Sequence, residues 1–139
     1  MPQDIQDKIL RLTLFLIVII AITHITSLYF YFYFDFWWLD IVMHFLGGFW
    51  VVSFSLWLLF FVFKKEISGF FFIILISIIF NLLISFFWEV FEFKLGIATI
   101  SSNYWPDTIS DSLSSLSGGL LAALYFNNQL KKEDHHDGE

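Results

Sequence analysis

Long runs of apolar residues constrain this chain more than any other feature of its sequence. Apolar residues make up 58% of the 139 residues and charged residues only 14%, whereas about 25% of the residues in a soluble domain are charged. About 20 apolar residues are enough for a helix to cross a hydrocarbon core about 30 Å thick. The sequence therefore predicts an all-α integral membrane protein, a four-helix bundle with spans at about residues 8–33, 38–63, 68–93 and 107–126.

Polar segments and aromatic side chains mark the ends of the predicted spans. Residues 1–7 are predicted to form a short cytoplasmic lead-in, and residues 127–139 a charged cytoplasmic tail that is expected to be disordered. Tyrosine and tryptophan residues between positions 29 and 38 are typical of an aromatic belt at a membrane interface. The fourth predicted span contains Gly118 and Gly119, and small residues of this kind favour close helix packing in membranes.

Basic residues are distributed unevenly among the polar segments. Six of them fall in the amino-terminal segment, the second loop and the tail: Lys8, Arg11, Lys64, Lys65, Lys131 and Lys132. With four spans these three segments share one side of the membrane, and an excess of Lys and Arg marks the cytoplasmic side. Only Lys94 lies near the other side. Both termini are therefore predicted to be cytoplasmic, in the cytoplasmic membrane of a prokaryote.

The composition also excludes several classes of function. The chain contains no cysteine, which excludes disulfides, thiolate nucleophiles and thiolate metal sites. A formal net charge of −6 and the lack of a basic patch argue against nucleic-acid binding. Membrane lipid is the expected partner, and assembly with further copies of the chain stays open.

Three pairs of ionisable residues lie at the predicted outer ends of spans two, three and four. Separations of four, three and four residues place the members of each pair on one helix face. Each pair lies within roughly 10 Å of the outer interface, at about 1.5 Å of rise per residue. We therefore expect one site at the outer face, formed by Asp40, His44, Glu89, Glu92, Asp107 and Asp111.

Five carboxylates and one imidazole at one membrane depth require compensation of their charge. Each ionised acid that faces lipid costs about 2.5–3.5 kcal/mol, so protons, a polar substrate group or a divalent metal must offset it. Oxygen ligands with one histidine suit Mg²⁺, Mn²⁺, Fe²⁺ or Zn²⁺, and carboxylates from separate helices build the di-metal sites of helix bundles. The sequence favours one or two divalent ions of undetermined identity, held by these six residues.

Structural roles compete with metal binding at some of these positions. Asp107 lies at a helix start, where it can act as a cap, and Asp40 can complement the helix dipole. Asn81 and Ser85 are expected to form hydrogen bonds between helices. The sequence does not decide whether His24, at a comparable depth on the first span, belongs to the site. The candidate catalytic residues lie a turn deeper, where ionisable groups are functional candidates: His44, Glu89 and Asp111.

Three stretches of this region carry a resemblance to a known family. The segments His44-Phe-Leu-Gly-Gly48, Trp88-Glu-Val-Phe-Glu92 and Asp107-Thr-Ile-Ser-Asp111 are similar to the motifs of the YjdF-like branch of the VanZ-like small multi-spanning membrane proteins. The Asp-Thr-x-Ser-Asp element is the most specific of the three. The resemblance covers roughly residues 38–125 and implies that these residues form a site. Some VanZ-like members are tied to lipoglycopeptide resistance.

Three functions are compatible with such a site. The favoured one is a metal-dependent membrane enzyme that acts on a lipid or polyprenyl-linked headgroup by hydrolysis or transfer, with His44 or a carboxylate as general base. The second is a transporter that binds protons or divalent cations, which needs polar residues in the inner halves of the spans: Thr13, Ser53, Ser55 and Ser77. The third is a non-enzymatic binder of lipid or of an amphiphilic antibiotic.

Overall fold

The computed structural model of the chain describes residues 3–62, 69–95 and 104–136, and the side chains of residues 6–60, 69–91, 93–94 and 105–130. Apart from short turns these residues are helical, and they contain no strand, so the predicted all-α class is confirmed. The five α-helices are α1 (Gln3–Tyr29), α2 (Phe32–Asp35), α3 (Trp37–Trp57), α4 (Phe70–Leu95) and α5 (Tyr104–His136). A π-helical turn at Leu58–Val62 continues α3.

Three of the described helices are long and apolar enough to cross a membrane. The qualifying segments are Gln6–Tyr29 in α1, Trp37–Phe60 in α3 and Phe70–Phe91 in α4, and they match the first three predicted spans. Helix α5 covers the predicted fourth span but is not among them, because serine, asparagine and charged residues interrupt its apolar sequence.

A short reversal of the chain separates the first two spans. Tyr31 adopts the left-handed conformation, with φ of 60° and ψ of 26°, and α2 follows it directly. A non-glycine residue in this conformation costs roughly 1–2 kcal/mol. The prediction of four helices did not include α2, because a helix of four residues leaves no periodic signature in a sequence.

Helix α5 continues beyond the point at which a disordered tail was predicted. The helical backbone extends to His136, so the prediction of disorder is wrong for residues 127–136. Packing at the start of this segment accounts for the difference. Asn127 is buried, Leu130 packs against the hydrophobic core, and Gln129 accepts a hydrogen bond of 3.0 Å from Lys8 of α1.

Helix α3 is the central element of the bundle and contacts α1, α4 and α5. We call the end where α3 and α5 begin and α4 ends the acidic end, and the opposite end the apolar end. The buried hydrophobic core lies toward the apolar end and consists of Ile9, Val52, Leu56, Ile73, Ala122, Ala123 and Phe126. The ionisable residues singled out in the sequence lie at the acidic end.

Glycines allow the backbones of α3 and α5 to touch. A Cβ atom added at Gly48 would overlap the carbonyl oxygen of Ser115, and one added at Gly118 would overlap the carbonyl oxygen of Phe45. A Cβ atom at Gly47 would meet no atom within 4 Å. Only a hydrogen atom fits at the first two positions, so Gly48 and Gly118 fix the distance between the two helices.

Substitution of these glycines should therefore separate α3 from α5. We expect Gly48→Ala and Gly118→Ala each to lower the free energy of unfolding by about 1–3 kcal/mol, the usual cost of overpacking. Thermal unfolding of the detergent-solubilised protein, followed by tryptophan fluorescence, measures the change.

Gly47→Ala is the matched control, since it places the same methyl group in open space on the same helix. Alanine is the better helix former by about 0.8–1.0 kcal/mol, so this variant should be as stable as the parent or more stable. Equal melting temperatures for the Gly47 and Gly48 variants would contradict the close contact.

Candidate functional site

Asp40 and His44 begin the site on the first turns of α3. They are four residues apart, which places both side chains on one helix face. The Nε2 atom of His44 lies 3.6 Å from Oδ1 of Asp40. The sequence pattern alone predicted this neighbouring pair, because helical spacing determines it.

Asp111 joins the pair from α5. Its Oδ2 atom lies 3.8 Å from the same Nε2 atom of His44, so one imidazole nitrogen faces two carboxylates from two helices. Ligand atoms of all three residues lie within 4.8 Å of one another. The side chains of His44 and Asp111 are only 14% and 6% exposed, whereas that of Asp40 is 39% exposed. This trio of Asp40, His44 and Asp111 is therefore open on the side of Asp40.

The spacing of the trio is close to that of metal ligands. An ion about 2.1 Å from each ligand in a tetrahedral site holds neighbouring ligand atoms about 3.4 Å apart. The two distances of 3.6 and 3.8 Å from His44 exceed this spacing only slightly. Two carboxylates and one imidazole are a donor set that transition metals accept.

Glu89 and Asp107 lie beside the trio but are not part of it. Both are near enough to His44 for their charges to act on its imidazole. Glu89 of α4 accepts a hydrogen bond of 3.0 Å from the hydroxyl of Thr108 on α5. The side chain of Glu92 lies outside the described residues. Five of the six residues singled out in the sequence are therefore near one another, and three of them share metal-ligand spacing.

His24 lies next to this cluster, a point that the sequence left open. Its Nδ1 atom is 2.8 Å from the hydroxyl oxygen of Tyr33, and its ring meets Trp88 edge-on at 6.0 Å between centroids. His24 is also near enough to Asp40 for an electrostatic interaction. The reversal of the chain at Tyr31 places Tyr33 of α2 against His24 of α1.

Polar side chains beneath the trio connect α3 and α5, the two helices that form it, with each other and with α4. The Ser114 hydroxyl donates a hydrogen bond of 2.6 Å to the carbonyl oxygen of Ile41. Asn81 and Ser85 of α4 form hydrogen bonds with residues of α3 and α5, which confirms that they bond between helices. Residues whose hydrogen bonds the sequence analysis missed are Tyr33, Thr108 and Ser114.

One sequence signal for the missed residues was present on α5. Thr108 precedes Asp111 by three residues, and Ser114 and Ser115 follow it by three and four, so these polar side chains form one stripe at helical spacing. In an apolar helix such a stripe indicates the face that packs against other helices. No comparable periodicity marks Tyr33, because it lies in the short helix α2.

Three spanning-length helices and a cluster of ionisable residues at one end define an all-α integral membrane protein. The chain belongs to the family described as "Predicted membrane protein (DUF2238)", whose match extends over residues 7–132 and so includes the whole site. Comparison with curated proteins and with solved structures gave no match. Lipid contacts the apolar side chains that the helices expose, such as Phe15, Phe71 and Phe86.

Loss of the hydrogen bond between Ser114 and Ile41 should loosen α5 from α3 next to the trio. We expect Ser114→Ala to lower the free energy of unfolding by about 1 kcal/mol, which is typical of a hydrogen bond between helices in a membrane. Thermal unfolding in detergent measures the change. Ser117→Ala is the control, because the Ser117 hydroxyl bonds only along its own helix, to Leu113. An equal loss in both variants would contradict an interhelical role for Ser114.

Proposed function

We propose that this protein is a metal-dependent membrane enzyme whose ion is held by Asp40, His44 and Asp111. The observation that carries the proposal is the convergence of these three side chains, from two helices, to within 4.8 Å of one another. Burial of His44 and Asp111 supports it further, because ionisable groups in a membrane require compensation of their charge. A divalent ion such as Mn²⁺, Zn²⁺, Fe²⁺ or Mg²⁺ supplies that compensation.

The bundle is proposed to span the membrane four times, with α5 as the fourth span. Residues 104–126 of α5 extend over roughly 34 Å, enough to cross a hydrocarbon core. The glycine contacts with α3 support this arrangement, since α5 packs its small polar face against α3 and exposes Leu113, Leu121 and Leu124. The uneven distribution of basic residues supports cytoplasmic termini and an acidic end at the outer face.

The residues around the trio divide into ligands and groups that can move a proton. A divalent ion held by the trio would supply Lewis-acid chemistry and would lower the pKa of a bound water. Asp40 is the most exposed ligand, so reactants approach on its side. Glu89 is the best-placed general base, because it lies outside the trio and its carboxylate is oriented by Thr108. Asp107 adds negative charge beside the same imidazole.

A lipid or polyprenyl-linked headgroup is the proposed substrate class. Large aromatic side chains are exposed at the acidic end, including Trp37, Trp38 and Trp105, and such rings occupy the level of lipid headgroups. A site at this level is reached from the membrane interface on the side of Asp40. The resemblance to the YjdF-like branch of VanZ-like proteins, which rests on motifs at His44, Glu89 and Asp111, is compatible with this role.

Cation transport is the second candidate, and one observation favours it. The four polar residues that a path through the bundle would require are all buried: Thr13, Ser53, Ser55 and Ser77. Among the described residues, the Ser53 hydroxyl oxygen has no hydrogen-bond partner. Thr13 and Ser77 bond to carbonyl groups of their own helices, which gives both residues a structural role as well.

Metal analysis of the purified protein tests the proposal. Gently purified protein should contain a stoichiometric divalent ion by plasma mass spectrometry, because the trio supplies three ligands. His44→Gln and Asp111→Asn should each weaken binding by more than about 100-fold, the upper range for loss of an outer-shell partner. Asp35→Asn is the matched control, since Asp35 is an exposed carboxylate on α2 outside the trio, and it should bind metal like the parent.

The same preparations separate the two candidate functions. The metal proposal would be contradicted if the parent protein contains no divalent metal and also fails to bind added Mn²⁺ or Zn²⁺. If the protein binds metal and also mediates ion uptake into proteoliposomes, loss of that uptake in Glu89→Gln would favour transport over hydrolysis or transfer.

The topology is tested with single cysteines, since the chain contains none of its own. Trp105→Cys lies at the start of α5 and Asn128→Cys near its far end, and both positions are exposed. A membrane-impermeant thiol reagent applied to intact cells should label position 105 and not position 128. Labelling of both positions from outside would contradict α5 as a span, and labelling of position 128 alone would reverse the orientation.

A further inference from the structure

The side chain of Asn81 on α4 forms hydrogen bonds to both helices of the trio. Its Nδ2 atom donates to the carbonyl oxygens of Gly48 on α3 and Ser115 on α5, at 3.4 and 3.0 Å. Its Oδ1 atom accepts from the Ser115 hydroxyl at 2.9 Å and lies 3.4 Å from the Ser85 hydroxyl. The amide nitrogen therefore faces two carbonyl groups, which can only accept, and the amide oxygen faces two hydroxyl groups, which can donate. These partners determine the orientation of the Asn81 amide.

The two carbonyl groups lie directly beneath the ligands of the trio. Gly48 follows His44 by four residues, and Ser115 follows Asp111 by four. Each carbonyl is therefore about one helical turn, or roughly 6 Å, below its ligand on the same helix face. The amide of Asn81 thus links the backbone under the imidazole to the backbone under the carboxylate.

Asn81 is tightly enclosed by its neighbours. Asn81 is 1% exposed, and a Cβ atom added at Gly119 would overlap its Nδ2 atom. Apolar contacts tolerate sliding of one helix along another, whereas hydrogen bonds to particular carbonyls specify one register. A slide of one residue would displace Asp111 by about 1.5 Å relative to His44, and metal sites require ligands within about 0.5 Å of their geometry.

We propose that Asn81 is a positioning residue of the metal site, and that its two bonds to backbone carbonyls fix the register of Asp111 on α5 against His44 on α3. The inference rests on the proposed function for its metal readout. The predicted effect of Asn81 on the spacing of His44 and Asp111 does not depend on the proposed function, because that spacing can be measured without metal.

Asn81→Leu tests the proposal, since leucine keeps the size of the side chain and removes both donors. We expect its affinity for Mn²⁺ and Zn²⁺, measured by calorimetry on the folded protein in detergent, to be about 10- to 100-fold weaker than that of the parent. Ser85→Ala is the matched control, because it leaves the carbonyl bonds of Asn81 in place, and it should retain the parent affinity.

A second control separates positioning from stability alone. Ile73→Ala creates a cavity in the core on the same helix, eight residues away from Asn81, and lowers the melting temperature at least as much. Its metal affinity should stay within about twofold of the parent, since well-separated sites act independently. Equal affinity losses in the Ile73 and Asn81 variants, or no loss in Asn81→Leu, would overturn the proposal.

Crosslinking measures the spacing without metal. A His44→Cys/Asp111→Cys pair in this cysteine-free chain should be bridged by a short bifunctional thiol reagent, and addition of Asn81→Leu should slow the bridging several-fold. Unchanged bridging would overturn the positioning role even if metal binds. Slowed bridging in a protein that binds no metal would support the positioning role and reject the metal-dependent function.

Discussion

The backbones of α3 and α5 touch where Gly48 faces Ser115 and Gly118 faces Phe45. This contact requires glycine, because any side chain would meet a carbonyl group of the opposite helix. Close approach brings α5, which is rich in serine and small residues, against the central helix over much of its length. At the acidic end the same approach brings Asp111 to His44. The site therefore depends on a packing contact made by residues that carry no chemistry themselves.

The distribution of polarity along the bundle follows from the same contact. Toward the apolar end, α3 and α5 enclose Leu56, Ala122 and Phe126, and hydrophobic contacts occupy the core. Toward the acidic end, polar side chains replace them, and the described ones are largely satisfied by bonds between helices. Asn81, Ser114 and Thr108 each connect two helices. Buried polar groups of this kind stabilise one arrangement of helices over others, and the close approach of Asp111 to His44 needs a single arrangement.

The sequence predicted the elements better than their mutual arrangement. Apolar runs of spanning length identified α1, α3 and α4, since few other structures accommodate 20 or more apolar residues. Helical spacing was also sufficient to pair Asp40 with His44. The sequence did not predict which further carboxylate joins Asp40 and His44. That depends on how α5 is rotated and translated against α3, and periodicity within each helix carries no information about the rotation or the translation. Asp111 is the one that approaches closely, whereas Glu89 bonds to Thr108 instead.

The remaining differences arise from local chemistry that leaves weak patterns in a sequence. The left-handed Tyr31 and the short helix α2 carry no glycine or proline signal, yet they place Tyr33 against His24. The end of α5 is polar in composition, but Asn127 is buried, and Gln129 and Leu130 contact other parts of the bundle. In both places tertiary contacts determine a structure that the local composition does not favour.

Anomalous X-ray scattering from crystals grown with Mn²⁺ or Zn²⁺ tests the central claim most directly, because it locates the ion relative to each side chain. The account predicts an anomalous peak within about 2.0–2.3 Å of Nε2 of His44 and of carboxylate oxygens of Asp40 and Asp111. A peak that lies elsewhere, or crystals of ion-saturated protein without a peak between these three residues, would contradict it.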